Sequence, residues 1–362
     1  MASDPTTRSD LIPIPTHVPR TSSLRQSRAG MRGSVQTGCI PDRLSLSGRP
    51  GFKLCYESGH WIKKPMAPSP SFSSTPYTSG SKGVARSSVM DKMRVTSDHA
   101  SGTDIPAVFV GGVRIHALTE AQCVDHVLGQ LDTGCGGWMV TVNLDHLRLF
   151  SWKPEYAGLC ALASLTVADG MPLVWASYLQ GTPLPERVTG SNLLWSLTAA
   201  AARQGRAIFL LGGSPGTADA AAAVLRQRYS GLNVAGTDCP AAGFENDPRN
   251  IAQLVARLST AAPDIVYVGL GKPKQDLLIN QLRAQLPQIW FVGVGISFSF
   301  VSGAVFRAPV WMQRLGLEWL YRLAQEPRRL TTRYLVHGLP FAAELLGGAA
   351  IQRLKSTRYR AL

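Results

Sequence analysis

One aspartate and a scatter of arginines are the side chains of this chain best placed to move a group between substrates. Asp169 follows the apolar run Leu165-Thr166-Val167-Ala168 and precedes Gly170, which sets it on a turn at a strand end. A carboxylate there can draw a proton from an attacking hydroxyl. It can equally cap the helix that begins near Pro172. Thr141 and Asn143 stand two residues apart at the end of another apolar run, so their side chains share one face. They suit a ligand pocket or an Asx-type turn that closes the strand. Arg187 lies in the loop Pro185-Glu186-Arg187-Val188-Thr189-Gly190, where a lone arginine is usually a solvated charge. Gln275 follows the turn Gly269-Leu270-Gly271 and opens a helix, a usual place to offer a polar group to a ligand.

The elements that must hold these residues alternate. Short apolar runs at 107–110, 138–142, 165–167, 207–211, 233–234, 265–268 and 290–294 read as strands. Helical windows lie at 192–203, 217–229, 250–258 and 274–286. Such alternation predicts an α/β fold, a Rossmann-like, largely parallel sheet with helices on both faces. Ligands of such sheets bind at the carboxyl ends of strands, where the polar residues above fall. The loop Leu211-Gly212-Gly213-Ser214-Pro215-Gly216 lacks the spacing of a dinucleotide fingerprint and its acidic ribose partner, so it reads as a tight turn near a nucleotide. His146 reads as a packed or capping histidine, without a chemical role.

Charge divides the chain in three. Residues 1–100 carry 14 Lys/Arg against 6 Asp/Glu, residues 101–302 carry 13 against 14, and residues 303–362 carry 10 against 3. The basic ends, out of a net charge of +14, suit phosphate-bearing partners around a nearly neutral core. Residues 1–103 are rich in Ser, Pro, Thr, Gly and Arg and show no sustained period, so a disordered tail is expected. A translation start at Met90 or Met93 would remove most of it. The α/β core is expected over 104–303 and a basic, amphipathic helical segment over 304–362. That segment sets Trp311, Leu315 and Trp319 beside Arg314, Arg322 and Arg329, and Pro327 should break or start one of its helices. The six cysteines form no CxxC and no metal-ligand spacing and read as reduced thiols. The first residues lack the apolar core of a signal peptide. The most apolar stretch, 339–351, is short and contains Pro340, Glu344 and a Gly pair, so a chain that touches a membrane without crossing it is expected.

Taken in order, the motifs point further. They run Thr141-Val142-Asn143, Ala168-Asp169-Gly170-Met171-Pro172, Glu186-Arg187-Val188-Thr189-Gly190, Gly269-Leu270-Gly271-Lys272-Pro273-Lys274-Gln275-Asp276 and Gly293-Val294-Gly295. Then come Arg307-Ala308-Pro309, Gly316-Leu317-Glu318-Trp319-Leu320-Tyr321-Arg322-Leu323 and Glu326-Pro327-Arg328-Arg329. This series, over about 108–334, resembles the WecG/TagA/CpsF family of bacterial glycosyltransferases. The resemblance implies a hexosyltransferase with Asp169 as general base and Thr141, Asn143, Arg187 and Gln275 as substrate-pocket residues. It implies a UDP-sugar donor and a polyprenyl-diphosphate-linked sugar acceptor, used on the inner face of the cytoplasmic membrane in cell-surface or exopolysaccharide synthesis. Where the family usually has Glu, this chain has Asp276. Between Phe298 and Phe300, where the family usually has Asp, it has Ser299, which leaves the donor open among N-acetylmannosamine, its uronate and glucose.

Guanidinium forks bind diphosphate oxygens in pairs, so Arg322 and Arg329 are expected on the donor diphosphate. With no Asp-x-Asp motif, neither a metal nor another cofactor is expected. Arg314, Arg353, Lys355, Arg358 and Arg360 are left to anionic lipid. Nucleic acid is not an expected partner, and a homo-oligomer is compatible with all of this. Two other readings compete: a nicotinamide-dependent oxidoreductase on the same kind of sheet, and a non-enzymatic basic membrane adaptor. The missing fingerprint disfavours the first. The second would spread its charge along one face and not flank a neutral cleft.

Overall fold

The computed structural model describes residues 105–360, together with two strands nearer the N-terminus. Those strands, β1 (Phe52–Glu57) and β2 (His60–Pro65), pair antiparallel with Glu57 opposite His60. The disorder expected over 1–103 otherwise concerns residues outside those described. The chain divides into two compact units, Met1–Ser81 and Lys82–Leu362.

The second unit opens with β3 (Ala107–Val110) and β4 (Val113–His116), an antiparallel hairpin. The run at 107–110 is thus a strand, but it stands apart from the main sheet. The cause is local: Gly111 and Gly112 both take positive φ, the geometry of a two-residue hairpin turn. The main sheet holds β5 (Gly137–Val142), β6 (Leu165–Ala168), β7 (Ala207–Gly212), β8 (Asn233–Asp238), β9 (Ile265–Gly269) and β10 (Trp290–Gly293). Their order is β6-β5-β10-β9-β7-β8 and every pairing is parallel. β6, β7, β9 and β10 are buried along their whole length, as a sheet covered on both faces requires.

Alternate side chains of each strand feed two cores. One takes Met139, Val167, Leu210 and Tyr267 with helices α1 (Glu120–Asp132), α5 (Gly190–Arg203) and α6 (Thr217–Arg228). The other takes Val140, Leu211, Val268 and Phe291 with α2 (Leu144–Trp152), α3 (Pro154–Cys160), α4 (Met171–Gln180), α7 (Pro248–Ala261) and α8 (Lys274–Gln285). The short α9 (Ser297–Val301) leaves β10 toward the first core, whereas α2 leaves the neighbouring β5 toward the second. Helices thus leave neighbouring strand ends toward opposite faces, the arrangement in which ligands of such sheets bind at the carboxyl edge.

The C-terminal segment is helical: α10 (Val310–Arg314), α11 (Glu318–Gln325), α12 (Pro327–Thr331), a π-helical stretch Thr332–Gly338 and α13 (Leu339–Arg360). Pro327 starts α12, at a position where its missing N–H has no helical partner. The expectation of no membrane-length segment needs correction. From Pro327 to Lys355 the helix runs 29 residues, long and apolar enough to cross a membrane by length and composition. Pro340 does not stop it, because the wider π turn just before absorbs the proline's lost hydrogen bond. One side of α13 is docked on the α/β core: Leu345 and Ala349 are buried, and Leu345 packs over Gly111.

Candidate active site

The carboxyl ends of β5 and β6 bring the first residues together. Val142 accepts the Asp169 N–H at 2.7 Å, and Ala168 accepts that of Val188 at 2.9 Å, so the Asp169 turn and the Arg187 loop are stitched to the same edge. Asp169 does not cap α4: the N-cap is Gly170, with φ 142° and no capping side chain. The carboxylate is partly open to solvent yet set deep in the protein. Burial pushes it up to about 6; Arg187 and Lys272 oppose that rise, while Glu318 adds to it. It is therefore mostly ionised at neutral pH and basic enough to accept a proton.

Arg187 is no solvated charge. Its Nη1 donates to Glu318 Oε2 at 3.0 Å, and Arg307 Nε donates to the other oxygen of Glu318 at 3.2 Å. Glu318 opens α11, so the C-terminal segment closes one wall of the Asp169 pocket. A second tie joins Arg333 to Asp145 at the start of α2. Neither Glu318 nor Arg307 was singled out from sequence, though both lie inside the motifs. The role of Glu318 depends on a pairing with Arg187 across more than 100 residues, which spacing does not reveal, and Arg307 joins through Glu318.

Thr141 is buried in β5, with its hydroxyl close to Gly190, where α5 begins against the Gly293-Val294 backbone. Asn143 fulfils the blander expectation as the N-cap of α2, in a reciprocal capping box with His146. Its Oδ1 also accepts from Lys272 Nζ. His146, as expected, caps and packs. Gln275 lies against the end of β10: a Cβ on Gly293 would come within 2.5 Å of its Nε2, and its buried Oε1 has no protein partner. Behind it Asp276 accepts the Tyr156 hydroxyl at 2.5 Å and faces His146 Nε2 at 3.6 Å.

Ser299 is buried on α9 between two aromatics with different duties. Phe298 fills the space above Gly213 and Gly269, and Phe300 lies under the Arg322 guanidinium at 5.7 Å. Arg322 sits one helical turn beyond Glu318, on the same face of α11. It shares Glu326 with Arg329, at 3.7 Å and 2.5 Å respectively. Arg322 is largely covered, whereas Arg329 is 55% exposed. Arg353, expected on lipid, sets its guanidinium over Gly181 at the end of α4.

A parallel sheet thus carries a raised-pKa carboxylate and partly covered guanidinium groups at its carboxyl edge, an arrangement suited to group transfer. The family model of the glycosyl transferase WecG/TagA/CpsF family matches residues 108–356. The chain belongs to that family and is a glycosyltransferase, with a sugar donor and an acceptor as its substrates.

Proposed function

We propose that the protein is an inverting, metal-independent hexosyltransferase with Asp169 as its general base. The donor is a UDP-sugar carrying N-acetylmannosamine, its uronate or glucose. The acceptor is a sugar on polyprenyl diphosphate, met on the inner face of the cytoplasmic membrane during cell-surface or exopolysaccharide synthesis. What carries the reading is Asp169 itself: uncapped, partly open, raised to about 6, and facing arginine on the crevice side of the sheet. As the acceptor hydroxyl attacks the anomeric carbon, Asp169 takes its proton. Charge then builds on the departing diphosphate, which paired guanidinium groups stabilise without a metal. Arg322 and Arg329 are assigned to that charge and must exchange Glu326 for it. Thr141, Asn143, Gln275 and Ser299 are assigned to the sugar pocket, and Arg187 to a phosphate contact.

The membrane assignment draws support from the exposed Trp311, Leu315 and Leu320, which lie among arginines on the C-terminal helices. Release of UDP from a panel of UDP-sugars, with and without a polyprenyl-diphosphate-linked acceptor sugar, tests the function. Transfer should persist in EDTA. Silence across the panel, or loss of transfer on chelation, would overturn the substrate or the mechanism respectively.

A further inference from the structure

Lys272 follows the Gly269-Leu270-Gly271 turn and ends up inside the cleft, where a lysine needs a reason. Taking an ammonium out of water is unfavourable unless several groups answer its charge and its three donors. Two of those donors have clear partners. Asn143 Oδ1 accepts one, and His146 Nδ1 lies 3.4 Å from the nitrogen. The histidine's tautomer follows from its surroundings. Its Nδ1 receives the Asn143 backbone N–H at 3.2 Å, so the ring proton is on Nε2, directed at Asp276. Asp276 is in turn held by Tyr156. Burial first, and the Lys272 charge second, push His146 down to about 4, so it stays neutral as this role requires.

The arrangement fixes Asn143. Its Oδ1 takes both Lys272 and the His146 N–H, the latter at 3.3 Å, and this commits the oxygen inward. With the oxygen committed to these donors, the amide nitrogen is the end of the side chain that remains to donate. The carboxylates that answer Lys272 are Asp145 on α2, Asp169 on the β6 turn and Asp276 on α8, while Arg333 opposes it.

We propose that Lys272 is a positioning residue for the transfer step: it locks Asn143 with its amide nitrogen toward the sugar and supplies positive charge that keeps Asp169 ionised. The inference rests on the transfer reaction proposed above and adds a group to it. Burial brings Lys272 down to about 8, with Asp145 the foremost of the charges resisting that fall. The ammonium is thus present through neutral pH and lost above it. Turnover should therefore rise with Asp169 ionisation along an acid limb near pH 6 that the Lys272 charge holds down, since above pH 8 Asp169 is ionised whichever form Lys272 takes.

The test uses the full chain and three variants. Lys272→Arg keeps the charge, so the acid limb should stay within about 0.3 units of wild type. Lys272→Met should shift the acid limb up by about one unit, with a fall in kcat at pH 7 of about tenfold. An acid limb in Lys272→Met within about 0.3 units of wild type, or one in Lys272→Arg shifted as far as in Lys272→Met, overturns the proposal. Lysine 13Cε NMR gives a reading independent of turnover, with the Lys272 signal identified by its loss in Lys272→Arg. That signal should titrate near pH 8 and move to lower pH in Asp169→Asn, which removes a carboxylate partner. A titration unmoved by Asp169→Asn also overturns the proposal. A shift there without any sugar transfer would sink the reaction assignment and leave the Lys272–Asp169 coupling standing.

Discussion

The two halves of the sheet's carboxyl edge are built on opposite plans. On the β5–β6 side, Asp169, Arg187, Lys272 and Glu318 are crowded together, and each charge is answered by another. On the β7–β9 side the edge is mostly glycine and apolar: Gly212 and Gly213 take positive φ, and a cleft of about 340 Å³ opens between Gly213, Pro215, Gly243 and Gly269. One half supplies polarity fixed in place, and the other supplies room for a ligand to approach backbone closely. Volume alone is a poor guide to the chemistry. A larger cavity of about 560 Å³ lies against the outer strand β8, lined by Thr237, Asp238 and Arg257 and by none of the candidate site residues.

The sharpest test of this division is Asp169→Asn. It should lower kcat by about 10²-fold or more while UDP affinity, measured by calorimetry, is largely kept. Full turnover would end the assignment of chemistry to the β5–β6 side. Next in size is Arg187→Ala, which strips Glu318 and Asp169 of their cation. The acid limb of the rate profile should rise, and kcat/KM at pH 6.5 should fall by about tenfold, with a smaller loss at pH 8.5.

A pair of glycine substitutions separates the two halves directly. Gly293→Ala would press on Gln275 at 2.5 Å and should reduce turnover. Gly213→Ala meets the Thr217 hydroxyl at 2.5 Å from a φ of +87° and should weaken UDP binding instead. Each should also cost about 1–3 kcal/mol in denaturant unfolding. Equal effects of the two on UDP affinity would blur the distinction.

Asp169 also leaves a mark on stability. Its folded pKa of about 6 lies above the ordinary 3.8, so the native state binds the proton more tightly than the unfolded chain. The resulting penalty is absent below about pH 4 and complete above about pH 6. Asp169→Asn should then stabilise the protein by about 1–3 kcal/mol at pH 8 and by almost nothing at pH 4. The smallest expected effect belongs to removal of residues 1–90, after which turnover and unfolding midpoint should both match the full chain.

Much of this was readable from residue order. All six strands of the main sheet were expected within a few residues, because buried parallel strands are near-continuous apolar runs. The hairpin of β3 and β4 was half missed, since Val113-Arg114-Ile115-His116 is short and its signal lies in the two glycines before it. Asp169, Asn143 and Gln275 announced themselves by their places at strand ends. Lys272 and Glu318 did not, because what distinguishes them is the distant partner each one finds, and Arg307 takes its place from Glu318. The proline in the C-terminal helix misled for a related reason: the π turn that accommodates it is a property of the coiled backbone, not of any one residue.

The segment that completes the pocket has an unusual hold on the rest. Neither α10 nor α11 buries a single residue. Gly316 between them touches Met171 and Trp175, and Glu318 adds an ionic tie to Arg187, steadied by Arg307 of the same segment. A joint made of charge answers to the medium as an apolar one does not. Competing anions and ionic strength loosen it, by less for partly covered pairs than for exposed ones. The wall beside Asp169 should therefore loosen with ionic strength more than the apolar contacts of α13 do.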